Sequence, residues 1–205
     1  ITVKKTFSRE TTITQTINAD VSVVWSLLTN ASDYPRWNST VISIEGEIKK
    51  SEKIKLKSTL DSSRIFKLKV KEFEVNQKLV WGDPMGQRTY TLQKHDGTTV
   101  FTMTEKIGGL MFPLFASKIP SFDVSFEQFA SDLKLEAELK SRAGEVKEDV
   151  KKEVSKVEKT VEKDAKKVEK EIERPAGIKS KKFRHKKTGE IVTQVPISKI
   201  ADYEE

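Results

Sequence analysis

The chain of 205 residues contains no cysteine. Disulfide frameworks, thiol nucleophiles and iron–sulfur ligation are therefore excluded. Histidine is almost as scarce: His95 and His185 lie far apart, so a histidine-rich metal centre is excluded too. Asp61, Asp83 and Asp123 are isolated and show no metal-ligand spacing, and neither a metal nor a cofactor is expected. No apolar run approaches the roughly 18–20 residues that span a bilayer. No signal-peptide pattern opens the chain, although a start at Ile1 rather than Met leaves an earlier leader open. GxGxxG, Walker, HExxH and CxxC motifs are all missing. Sequons at Asn30 and Asn38 carry weight only in a secreted protein.

What is present is charge, unevenly arranged. Lysine and arginine number 38 against 31 aspartate and glutamate, a net of +7. Residues 1–141 hold 20 basic and 17 acidic side chains, residues 142–173 hold 10 of each, and residues 174–205 hold 8 and 4. Nine of the ten Phe and all three Trp precede residue 130. The first two-thirds can thus bury a core and the last third mostly cannot. This gives three parts: a domain over 1–140, a charged helix over 141–173 and a basic tail over 174–205.

Periodicity assigns the elements. Residues 11–18 alternate, with Ile13 and Ile17 on one face, and read as a strand. Asp20 is placed to cap a helix whose stripe is Val21, Val24, Leu27 and Leu28. A turn-and-helix piece with Tyr34, Pro35 and Trp37 follows. Strands are then expected over 40–49 (Ile42, Ile44 and Ile48 on one face), 53–60, 64–76, 78–82, 87–94 and 98–107. In 64–76 the phase changes after Val70, which predicts a β-bulge near Lys71–Glu72. An Asp83–Pro84 turn and a His95-Asp96-Gly97 hairpin punctuate the series. Clean alternation predicts an antiparallel sheet with one wet, lysine-rich face. After Gly108 and Gly109, a helix over 121–140 carries Phe122, Phe126, Phe129, Leu133 and Ala137 at three- and four-residue spacing. SRAG at 141–144 is expected to interrupt it weakly. The Phe-rich helix is the only large cover available for the apolar face of a bent sheet.

The run VSVVWSLLTNASDYPRWNS resembles the opening helix and turn of the START-like superfamily, also called SRPBCC or Bet v 1-like. KLVWGDPMGQRTYTLQKHDGTTVFTMTEKIGG resembles its last hairpins, in the polyketide cyclase/dehydrase and lipid-transport branch, and FEQFASDLKLEAE fits its final helix. The resemblance covers roughly residues 8–140. It implies an α+β helix-grip fold, a curved antiparallel sheet wrapped around a long C-terminal helix with an apolar cavity between them. Members bind lipids, sterols, hormones or polyketides; some are cyclases or hydratases. By that analogy Trp25, Tyr34, Pro35 and Trp37 serve structure. The cavity-lining, ligand-binding candidates are Phe66, Leu68, Trp81, Tyr90, Leu92, Phe101, Met103, Phe122, Phe126 and Phe129. A dry core filled by the same ten side chains is the competing reading.

Chemistry would need polar groups on the inner face. Glu105 shares parity with Phe101 and Met103, and there it would be desolvated, with a raised pKa suited to acid–base work. Arg88 shares parity with Tyr90 and would pair with Glu105 or with a ligand carboxylate. Gln15 shares parity with Ile13 and Ile17. Solvent-facing roles compete for all three, and His95 reads as an exposed turn residue.

Residues 146–173 carry an 11-residue repeat, VKEDVKKEVSK, VEKTVEKDAKK, VEKEIE, whose apolar positions recur at spacing 4, 4, 3. At about 3.67 residues per turn, the stripe runs nearly straight along a helix. A solvated spacer, a partner-binding or self-associating coiled-coil-like helix, and a membrane-surface helix all remain open. Arg174, Pro175 and Gly177 stop the helix. The basic cluster KKFRHKK begins a stretch, 181–197, that is suited to a small β-hairpin and to an acidic partner or anionic membrane. Nucleic acid is not the expected partner, and no oligomeric state is fixed.

The leading expectation is therefore non-catalytic binding of a hydrophobic small molecule, a lipid or acyl or polyketide-like compound. The loop over 108–115 would act as a lid hinged at Gly108 and Gly109. A small cyclase or dehydratase using Glu105 or Arg88 is the alternative. An interaction module acting through residues 142–205 is the second. A cytoplasmic protein, with peripheral membrane contact through the arm, is the expected setting.

Overall fold

The structure is a computed structural model that describes residues 1–172, 182–192 and 203–204. The chain divides into two compact units, Ile1–Glu148 and Asp149–Glu205.

In the first unit, eight strands form one antiparallel sheet. They are β1 (Thr2–Lys5), β2 (Ser8–Ile17), β3 (Val41–Glu45), β4 (Lys53–Ser58), β5 (Asp61–Glu74), β6 (Lys78–Gly82), β7 (Gly86–His95) and β8 (Thr98–Gly108). Their order is β1-β2-β8-β7-β6-β5-β4-β3. Helix α1 (Val21–Thr29) starts at Asp20, whose carboxylate accepts a hydrogen bond from the Ser22 amide at 2.9 Å. The short α2 (Tyr34–Trp37) follows, and α3 (Phe112–Phe115) closes the loop after β8. Helix α4 (Asp123–Ile172) begins in this unit; Phe126, Phe129, Ala130, Leu133 and Ala137 on it, and Phe122 just before it, belong to the core.

Several expectations hold in detail. The register shifts between Val70 and Glu72, where the change of phase predicts a bulge. Trp25, Tyr34 and Trp37 are buried, and the Tyr34 hydroxyl donates to the Leu28 carbonyl at 2.8 Å. The α2–β3 turn is tied to α4. Arg36 reaches Glu136 at 2.7 Å, the Ser39 amide donates to Asp132, and the buried Asn38 amide donates to the Phe129 carbonyl at 3.3 Å. Asn38 is therefore a structural side chain, enclosed within its sequon.

Other expectations are corrected. Ile42 faces solvent, because a register shift between Val41 and Ser43 turns Val41 and Ile44 inward instead. The strand expected over 53–60 ends at Ser58 and β5 begins at Asp61. The two-residue turn between them, Thr59–Leu60, carries none of the Gly, Asn or Asp that mark tight turns. SRAG does not interrupt α4, which is continuous for 50 residues. A single internal glycine costs only about 1 kcal/mol relative to alanine, too little to break a helix of strong formers.

The second unit holds the rest of α4 and a small sheet of order β10-β9-β11, made from β9 (Phe183–His185), β10 (Ile191–Val192) and β11 (Tyr203–Glu204). β9 and β10 form the hairpin read from the tail, with Gly189 at φ +73° in its turn. The helix stop at 174–177 lies outside the described residues. Among the described residues no helix is long and apolar enough to cross a membrane.

Candidate functional site

Between the sheet and the first turns of α4 lies a cavity of about 250 Å³. Its walls are mainly apolar, with Leu56, Phe66 and Leu68 from β4 and β5, Trp81 from β6, and Met103 and Ile107 from β8. Phe115 and Ile119 come from the segment before α4, and Phe122, Phe126 and Phe129 from its start and first turns. Leu60, Arg64, Met85 and Lys118 both line the cavity and are exposed, so it reaches solvent there.

Of the ten residues expected at a ligand site, seven line this space: Phe66, Leu68, Trp81, Met103, Phe122, Phe126 and Phe129. The other three do not. Tyr90, Leu92 and Phe101 are buried in the core without lining the cavity. Phe101 and Tyr90 stack 6.0 Å apart, and each stacks on Phe129 at 6.3 and 5.8 Å respectively. Of these three rings, only Phe129 also lines the cavity. Parity alone places a residue on the inner face but not along the length of the grip.

The polar groups come together as parity predicts. Arg88 on β7 and Glu105 on β8 are register partners, and the Arg88 Nε donates to the Glu105 carboxylate at 2.5 Å. The Arg88 guanidinium lies 4.9 Å above the Phe126 ring. Their side chains are 19% and 15% exposed, and both line the cavity. Burial pulls the Arg88 guanidinium down, but the Glu105 charge outweighs it and holds the pKa above the usual arginine value. Burial pushes the Tyr90 phenol up to about 12, partly offset by the Arg88 charge. The Tyr90 hydroxyl lies near that charge without the alignment of a hydrogen bond. Among the described residues, the Arg88 Nη atoms and Glu105 Oε1 have no aligned hydrogen-bond partner. The pair therefore offers the cavity one donor edge and one acceptor, with no net charge. Arg64 and Lys118 are matched by Asp61 and Asp83 among the lining residues, so the cavity as a whole has no charge bias. Gln15 spends its amide on the Thr16 carbonyl and does not line the cavity; His95 is an exposed turn residue.

Sequence reasoning missed Arg9. This buried β2 side chain donates to the carbonyls of Ala116, Ile119 and Pro120, at 2.7–3.1 Å. It pins the segment that supplies Phe115, Lys118 and Ile119 to the cavity. The signal was a lone arginine in a threonine-rich strand. The two glycines expected as a hinge differ in their surroundings, although the Gly109 amide also donates, to the Phe7 carbonyl at 3.0 Å. Gly108 donates to the Met85 carbonyl and lies so near the Phe7 carbonyl that a Cβ would sit 2.7 Å from it. Gly109, at φ +129° with open space around it, has the backbone freedom.

Neither a family model nor a curated protein matches the chain by sequence. Solved structures do match by shape. A protein from Mesorhizobium loti is similar at 17% identity over 62% of this chain and 96% of its own, with TM-score 0.50. One from Rhodobacter sphaeroides is similar at 16% over 64% and 91%, also with TM-score 0.50. A structure described as a START superfamily protein, from Mycobacterium smegmatis, matches at 14% over 63% and 97%, with TM-score 0.47. The chain shares an α+β helix-grip fold with these structures, a curved antiparallel sheet packed on a long helix. At these identities the likeness is one of fold, and function must be argued from the site.

Proposed function

We propose that the first unit binds an apolar small molecule bearing one neutral hydrogen-bonding group, and does so without chemistry on it. The observation that carries this reading is the Arg88–Glu105 pair set in an otherwise mainly apolar cavity. Apolar walls favour the body of the ligand at roughly 25 cal/mol per Å² of surface removed from water. A hydroxyl can donate to Glu105 Oε1 and accept from an Arg88 Nη. A carboxylate would meet the Glu105 charge at close range and gain little net attraction. At about 250 Å³ the cavity is slightly smaller than typical ligand sites, which run about 300–1,000 Å³, so a compact or partly inserted ligand fits best.

Native mass spectrometry of gently purified protein, with extraction of any adduct, tests the carrier reading. An adduct that is lost in Phe126→Ala supports it. A bare mass, together with no binding of dodecanol or dodecanoate, would sink it. If binding is found, dodecanol should bind more tightly than dodecanoate, and that preference should vanish in the R88M/E105L double variant. Preference for the acid would instead make Arg88 an anion anchor and overturn the neutral-group assignment.

A further inference from the structure

The part of helix α4 in the second unit exposes an apolar stripe. It comprises Val150, Val154, Val157, Val161 and Val168, each 50–61% exposed. At about 100° per residue, Val154, Val157, Val161, Ala165 and Val168 lie within about 40° of a line through Val161. The charges are sorted around that line. Glu153, Glu158, Glu162, Asp164 and Glu169 fall at about 60–100° on its two sides. Lys156, Lys159, Lys163, Lys166, Lys167 and Lys170 all lie beyond about 120°. From Glu153 to Lys170 no lysine borders the stripe and no acid occupies the opposite face. Pairing along a solvated helix asks only for opposite charges three or four residues apart, which mixed faces satisfy equally well. It does not account for this segregation.

The sorting discriminates among occupants. An anionic membrane lying on the stripe would meet its acidic borders, with the lysines turned away into water; the surface attraction would be reversed. A second copy of the same face would set acidic borders against acidic borders in either orientation. What the borders complement is positive charge on both sides of an apolar ridge. We propose that this face docks an amphipathic helix of another protein, one whose apolar stripe is bordered by lysine or arginine. The 4, 4, 3 spacing keeps the stripe almost parallel to the helix axis. Small valine and alanine side chains allow the two backbones to approach closely, to about 8 Å. The inference is independent of the cavity and its ligand.

Two synthetic 22-residue peptides of the same composition test it on the full chain. Both carry a leucine/alanine stripe at 4, 4, 3 spacing. One has lysine at the borders and glutamate opposite; the other has these exchanged. Fluorescence anisotropy should show at least tenfold tighter binding of the lysine-bordered peptide, an advantage that shrinks as salt is raised. V157D/V161D should abolish that binding while circular dichroism reports an unchanged helix. E158K/E162K/D164K/E169K should reverse the preference. Absence of binding by either peptide, or equal binding of both, would overturn the proposal. So would a dimer, or binding to phosphatidylserine vesicles, that V157D/V161D removes.

Discussion

Arg88 and Glu105 are the residues on which the cavity turns, and their energetics can be separated from their role. Removing one partner leaves the other charged in a largely apolar space, whereas replacing both by hydrophobic groups of similar size does not. R88M should therefore lose about 3 kcal/mol in urea unfolding, and R88M/E105L should recover most of it. A single-variant loss below about 0.5 kcal/mol would mean that cavity water solvates the charge left behind. Asp20 gives a second residue-scale test. The Ser22 amide and hydroxyl, and then Lys94, hold its carboxyl down at about 2, against an ordinary 3.8. Because the folded value is depressed, its contribution is fully present above pH 3.8 and is lost as pH falls from there towards 2. D20N should keep the cap but flatten that part of the stability profile. D20A should cost about 1 kcal/mol at neutral pH as well.

Among the elements, α4 was half legible. Its aromatic first turns and its 11-residue repeat were both visible as helical periods. Their junction was not, because Gly144 and Ser141 read as punctuation while the structure carries the helix through them. A Cβ at Gly144 would meet nothing within 4 Å. Gly144→Ala should thus stabilise the chain by about 0.5–1 kcal/mol, seen as a higher urea midpoint with an unchanged slope. Strand boundaries followed the same logic. The bulge after Val70 was readable because the alternation itself changes phase, and the tight turn at Thr59–Leu60 was not, because it lacks turn residues. β1 was missed altogether: TVKK is four residues long with no buried side chain, so it left no period to read.

At the scale of the whole molecule, the order of elements and the inner face of the sheet were plain in the sequence. Alternation and the Phe stripe each demand a partner surface, and the grip is the arrangement that supplies both. The division of that interior was not plain. Whether Tyr90 and Phe101 face a void or one another depends on how far along the helix each strand meets Phe129, a distance that no local pattern encodes. The Arg88–Glu105 pairing was legible as shared parity, while the Arg9 contacts were hidden because their acceptors are backbone carbonyls more than a hundred residues away. Charge sorting in the second unit stands in the sequence, yet it becomes visible only when the residues are placed around a continuous helix.

Phe129 belongs at once to the cavity wall and to the ring stack of the buried core. Occupancy and foldedness are linked through it, since a molecule that binds the intact grip and not the unfolded chain draws the equilibrium towards the native state. At one hundred times its dissociation constant, such a molecule adds about 2.7 kcal/mol. If the proposed ligand exists, the melting temperature of the first unit gauges its occupancy. Fractions of an extract that contain the ligand should raise it by several degrees, in proportion to the logarithm of dose, and should leave a variant with a filled cavity, Met103→Trp, unmoved.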